Sequence, residues 1–156
     1  MAGHETSATN FSWILYEITK NQSIQEKLFE EVRQVVGLDR DPTYEDIEKL
    51  IYTRAIIDEA LRLHPPVESG FKANNEEDEI DGYYIPKGTD LIVSFYVSHV
   101  NPEYWDEPLE FKPERFDPRV TTNRKQVPFA YTPFSLGARN WFVPLIFFEK
   151  ILSFFF

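Results

Sequence analysis

Apolar positions along this chain begin with a helical period and then lose it. Over the first third they recur every three or four residues. Phe11, Ile14, Leu15 and Ile18 form one stripe, Leu28, Val32 and Val35 a second, and Ile56, Ala60 and Leu63 a third. Such spacing predicts amphipathic helices. The first stripe has no capping residue ahead of it, so a front segment is expected to be missing. Ser23-Ile24-Gln25-Glu26 reads as a capping box opening the second helix, which Gly37 closes, and Thr43-Tyr44-Glu45-Asp46 as a box opening a short one. Pro65-Pro66 ends the helix of the third stripe, because the residue before a proline leaves the α region and proline has no N–H to donate.

Beyond Pro66 the helical period gives way to short β-leaning runs. Tyr83-Tyr84-Ile85 and Leu91-Ile92-Val93 lean toward strand, and Asp81-Gly82 and Pro86-Lys87-Gly88 punctuate them as turns. A small sheet is expected. After Asn101-Pro102 neither period holds. The proline- and aromatic-rich stretch from Trp105 through Phe116 to Phe134 reads as ordered loop held by buried rings. The expected class is mainly α with a small β-sheet.

Composition narrows the chemistry more than the fold. At 156 residues a single domain can bury roughly 70% of its unfolded surface. The net charge of -10, with 16 basic residues scattered among 26 acidic ones, argues against nucleic acid as a partner. The chain contains no cysteine, which removes disulfides, thiolate metal sites and cysteine nucleophiles together. His4, His64 and His99 stand at no metal-ligand spacing and read as surface or loop residues. No nucleophile elbow and no phosphate-cradling glycine loop is present. Neither a basic region nor an apolar one follows Met1, so no secretory signal is expected. The apolar run from Trp141 to Phe156 is interrupted by Pro144 and Glu149-Lys150 and is shorter than the ~18–20 residues of a spanning helix.

Four short motifs carry what chemistry there is. Ala2-Gly3-His4-Glu5-Thr6 combines a small pair, where a flat ligand can approach a helix, with an acid beside a hydroxyl that can relay protons through water. Taken alone it reads as well as an ordinary helix with a weak point at Gly3. Glu59 and Arg62, at i and i+3, share one side of the third helix, and in isolation would be a solvated pair worth a few tenths of a kcal/mol. Pro113-Glu114-Arg115-Phe116 and Phe134-Ser135-Leu136-Gly137-Ala138-Arg139 follow downstream.

In this order the four motifs resemble the C-terminal half of a cytochrome P450, a haem-thiolate monooxygenase. The resemblance covers residues 2 to 140 and implies a partial fold of that family: long distal helix, Glu-x-x-Arg helix, small sheet and meander loop. It implies that Gly3 lies by the oxygen pocket and that Glu5 and Thr6 are the acid-alcohol pair delivering protons. Glu59, Arg62 and Arg115 would form a buried structural triad. Arg139 would hold a haem propionate, and Phe134 and Gly137 belong to the same cofactor motif. Lys72 is either a second basic partner of the haem or a solvated strand lysine. The segment Val67 to Phe71, with Val67, Ser69 and Gly70, matches the part of the family that touches substrate. Residues 81–86 and 2–8 look most like the microsomal sterol and fatty-acid hydroxylases of animals, in the manner of a cholesterol 24-hydroxylase.

The resemblance fails two positions past Arg139. There the family places the cysteine whose thiolate binds iron, and this chain has Trp141. Indole nitrogen offers no lone pair to a metal, so no metal ligand is expected here, and the thiolate-driven oxygen chemistry is lost. Residues 1–140 thus read as a portion of the family's domain and 141–156 as an aberrant apolar tail, from frame-shifted or non-coding sequence, or as an apolar docking tail. Two functions remain open. The chain is a fragment of an enzyme that inserts one oxygen atom of O2 into a lipophilic substrate, with a reductase supplying electrons from NADPH. Or it is a non-catalytic truncated product that binds apolar molecules or a partner. The full-length relative would sit in the endoplasmic reticulum membrane, held by an anchor expected in the missing front.

Overall fold

The computed structural model describes residues 2–120 and 127–136. Three helices form its centre. α1 (Ala2–Lys20) and α2 (Gln22–Val35) are separated by Asn21 alone, and α4 (Ile51–Leu63) packs against both, with the one-turn α3 (Tyr44–Ile47) between α2 and α4 in the chain. Ile14, Ile18, Ile24, Leu28, Leu50, Ile56, Ile57 and Leu61 make the shared core. Ten of the thirteen residues of α4 are buried, so this helix is wrapped on nearly every side. A helix so enclosed must satisfy any polar group it carries from within the protein.

The helix ends depart from the sequence reading in instructive ways. α2 begins at Gln22 with Asn21 at its N-cap, two residues ahead of the expected Ser23 box, and the Ser23 hydroxyl bonds the Asn21 side chain instead. The Thr43 box forms as expected: the Thr43 N–H donates to the Asp46 carboxylate at 2.8 Å, and Arg40 adds a bidentate pair to the same group. Those donors hold the Asp46 carboxyl well below the usual carboxylate range. α4 has no cap from its own sequence. Glu31 of α2 supplies one, its carboxylate accepting the N–H groups of Tyr52 and Thr53, each at 2.7 Å, and the Thr53 hydroxyl at 2.8 Å. A buried anion at a helix N-terminus takes up orphan donors and meets the positive end of the dipole.

The expected sheet takes the form of two antiparallel ribbons. β1 (Ser69–Ala73) pairs with β4 (Asp90–Ser94), placing Phe71 opposite Ile92, while β2 (Asp78–Ile80) pairs with β3 (Tyr83–Ile85). Asp81 and Gly82 join the second pair with φ of 52° and 82°. Two positive φ angles in a two-residue loop match the strand twist, and glycine takes the second without strain. α5 (Phe95–His99) continues directly from β4 and was not expected, because its five residues are too few to show a period. The loop region after it holds one 3-10 turn at Pro113–Arg115.

Burial also corrects the first stripe. Ile14 and Ile18 are fully enclosed and Phe11 partly, but Leu15 is exposed, and Ser7, Asn10 and Glu17 complete the buried face. Replacing Ile56 by Ala should therefore lower the unfolding free energy by about 2–5 kcal/mol in urea titrations. Leu15→Ala should change it by no more than about 0.5 kcal/mol.

Candidate functional site

Glu59 and Arg62 both sit at 0% exposure in the middle of the fold, which rules out the solvated surface pair. Their helical spacing lets the two side chains lie in parallel. The Arg62 Nε donates to one Glu59 oxygen and Nη2 to the other, both at 2.8 Å. Arg62 Nη1 then donates to the carbonyls of His99 at 2.8 Å and Pro108 at 2.7 Å, and Nη2 also reaches the carbonyl of Glu110 at 3.2 Å. A guanidinium has five N–H donors, and all five are used. The face of the group also lies 5.0 Å from the Trp105 ring, a cation–π distance.

Glu59 is equally engaged. Besides Arg62 its carboxylate accepts the backbone N–H of Lys112 at 2.9 Å and the Nε of Arg115 at 3.3 Å. Arg115 extends the bracing by donating from Nη2 to the Glu107 carbonyl at 2.7 Å. One acid and two guanidiniums thus bind α4 to five points of the loop region between His99 and Arg115. The structure brings together the three residues of the expected triad.

Beside this cluster lies a ring assembly. Tyr131 packs against Phe116 at 4.8 Å and His99 at 5.5 Å, and Trp105 closes the group, 5.9 Å from Phe116 and edge-on to Tyr131 at 6.4 Å. The Tyr131 hydroxyl donates to the Asp58 carboxylate at 2.8 Å, returning the chain to α4. Phe134, a few residues on, is half-buried against the helical core.

The remaining expected residues are more dispersed. An open cavity of about 940 Å³ lies between β1, α5 and the segment 129–136. Gly70, Lys72, Phe95, Thr132 and Leu136 are on its wall. Lys72 is exposed there with no ion pair among the described residues. At Gly70 a Cβ would come within 3.1 Å of the Phe95 ring, so the strand approaches α5 as closely as a bare backbone allows. Ser69 is half-buried in β1 and Val67 exposed just before it. Glu5 is exposed on α1, Thr6 half-buried, and neither is on the cavity wall. Gly3 belongs to the first turn of α1. Gly137, Arg139 and Trp141 lie outside the described residues.

Sequence reasoning missed Glu31, Glu17 and His99. Glu31 left a trace, since it stands in the apolar stripe of α2 between Leu28 and Val35, where a solvated acid does not belong. Glu17 lies likewise beside Ile18 and bonds His64 Nε2 at 2.8 Å, with the His64 ring stacked 4.1 Å from Trp13. His99, expected on the surface, is fully buried. No local signal marks it, because its partners are 33 and 37 residues away in the chain.

A family model for cytochrome P450 matches residues 1–140. The chain belongs to the cytochrome P450 family. Cytochrome P450 4V2 of Mus musculus is 40% identical over 139 residues, 88% of this chain and 26% of the relative. Cytochrome P450 4d2 of Drosophila melanogaster is 41% identical over 140 residues, 88% of this chain and 27% of the relative. Cytochrome P450 3A19 of Capra hircus aegagrus is 37% identical, with 88% of this chain aligned to 62% of the relative. The chain thus spans about a quarter of the length of the first two.

Haem is the cofactor of this family, and the donor set of this chain meets it only in part. Lys72 is free to face an anionic propionate from the cavity wall. An axial thiolate has no source, since the sequence contains no cysteine, and among the described residues no cluster of metal-ligating side chains is found. Two of the three histidines are also committed, His64 to Glu17 and His99 to the Thr132 N–H. The residues present do not fit the iron.

Removing buried Glu59 takes the counter-charge from Arg62 and leaves the Nε–H of both guanidiniums and the Lys112 backbone N–H without their acceptor. Glu59→Ala should cost roughly 3–5 kcal/mol and abolish cooperative thermal unfolding. Arg33→Ala, which breaks the exposed pair with Glu30, should leave stability almost unchanged, because water and salt screen a pair on the surface. Calorimetry of the two variants side by side checks both.

Proposed function

We propose that this chain is a non-catalytic portion of a haem monooxygenase, with residues 1–140 forming part of the family's domain and 141–156 an apolar tail foreign to it. In the whole enzyme the reaction would be insertion of one oxygen atom of O2 into a lipophilic substrate such as a sterol, a fatty acid or a xenobiotic. Electrons would come from NADPH through a reductase, at the endoplasmic reticulum membrane. Resemblance in residues 2–8 and 81–86 favours a hydroxylase of lipids, of the cholesterol 24-hydroxylase kind.

One observation carries the non-catalytic reading. The bracing of Glu59, Arg62 and Arg115 is intact, but the position where the family places its iron-binding cysteine is Trp141, and no other thiol exists in the chain. The scaffold that would support a haem is kept, and the group that would activate oxygen on it is not. Within the family's roles, Lys72 and Arg139 would meet propionates, and Glu5 and Thr6 would move protons. None of them can stand in for a thiolate.

The apolar surface favours a second use. Phe71 and Ile92 face each other across β1 and β4 with 77% and 68% of their surface exposed, and Phe129 and Leu136 are exposed at the cavity nearby. Such a surface can take up an apolar molecule or a partner chain without any redox chemistry.

Incubated with haemin and then reduced under carbon monoxide, the chain should show no thiolate-type difference band. Trp141→Cys alone should not restore hydroxylation, because the chain aligns with only about a quarter of relatives such as cytochrome P450 4V2 and the rest of the pocket would have to come from the remainder. Turnover of any lipophilic substrate by the chain as it stands would disprove the reading.

A further inference from the structure

Thr132 donates its backbone N–H to His99 Nε2 at 2.9 Å. Two donors cannot share that contact, so Nε2 carries no proton and the ring proton resides on Nδ1. This is the tautomer that free histidine disfavours. Nδ1 is itself buried without a hydrogen-bond partner, and the whole residue is at 0% exposure. A buried ring in its less favoured tautomer, with one nitrogen unsatisfied, costs free energy that must be offset by what the other nitrogen holds.

What it holds is the segment 127–136. His99 stands at the meeting of three parts of the fold. Its carbonyl accepts from Arg62 of α4, its ring lies against Tyr131, and its Nε2 takes the Thr132 amide. We propose that neutral His99 is a positioning residue, the pin that fixes Thr132 and so sets where the segment from Thr132 to Leu136 leaves the α4–α5 framework. The inference goes beyond the haem reading and does not depend on it, because the pin acts whether or not a cofactor ever lies against the segment.

The pin is sensitive to acid. Protonation would place an Nε2–H against the Thr132 N–H and break the contact. Burial pushes the His99 pKa down to about 4, opposed in part by the nearby Arg62 backbone and helped by the smaller effect of the Arg62 charge. The charged and titratable groups facing the ring region are Arg62 and Asp58 from α4 and Tyr131 from the segment; Arg62 is neutralised by Glu59, and Tyr131 bonds Asp58. In the unfolded chain the ring titrates near 6.5. The unfolded state therefore binds more protons between those two values. The contribution of His99 is complete above about pH 6.5 and is lost as pH falls toward about 4.

The test uses the full chain labelled with 15N. At pH 7 the side-chain shifts of His99 should show a protonated Nδ1 and a bare Nε2, and the Thr132 amide should be protected from hydrogen exchange. Corrected for intrinsic exchange, that protection should fall by about tenfold on acidification to pH 4, the worth of one hydrogen bond. His99→Gln, whose Oε1 can accept but cannot titrate, should keep the protection across the range, and His99→Leu should lack it throughout. A protonated Nε2 in the wild-type chain at pH 7 overturns the proposal, and this measurement needs no variant to fold. So does equal Thr132 protection in the wild type and His99→Leu, or the same acid loss in His99→Gln.

Discussion

A single guanidinium with no free donor organises this molecule. Arg62 is wholly out of water, and a charge in that position is tolerated only when opposite charge and oriented acceptors replace its hydration. Glu59 supplies the charge from one turn earlier on the same helix, and the carbonyls of His99, Pro108 and Glu110 supply the rest. Those carbonyls belong to a stretch with almost no regular secondary structure of its own. Its backbone groups cannot find partners in a sheet or helix, so the buried arginine serves as their common donor. The loop region is ordered because α4 carries that charge, and α4 can carry it because the loop region is there.

The same logic recurs at lower stakes around the helix bundle. Glu31 caps α4 from α2, and Glu17 on α1 meets His64 at the end of α4. Each joint is a polar group buried at a helix contact and satisfied by another element, so each specifies how the helices are set as well as how firmly. Apolar packing around Ile14, Ile56 and Ile57 supplies the bulk of the attraction but tolerates small sliding movements. The polar joints have narrower geometry.

On the reading proposed above, family membership and chemical competence separate in this protein. Everything that makes the chain a cytochrome P450 in shape, from the long α1 to the Glu59 cluster, is structural bracing formed by side chains and carbonyls. Oxygen activation in that family rests on one sulfur atom, and sulfur ligation is not a property that bracing can supply. On that reading the scaffold would persist with its charges paired without the reaction. His99 belongs to the scaffold as well. It passes the order of the Arg62 cluster on to the segment 127–136, through one backbone amide.

Periodicity, proline stops and turn residues made the helices of the first third, two of the four strands and the order of motifs legible from the sequence, because each depends on residues close to one another in the chain, whereas β1, β2 and the pairing of β1 with β4 did not show. The i, i+3 spacing even showed that Glu59 and Arg62 share a face. It could not show that the face is buried, since depth is decided by what packs on top, and Lys112 and Arg115 arrive from 53 and 56 residues away. For the same reason the short α5, the cap from Glu31 and the tautomer of His99 were beyond local reading. Residue type and spacing settled what could form along the chain. Only tertiary contact decided which charges would lose their water and which partners would replace it.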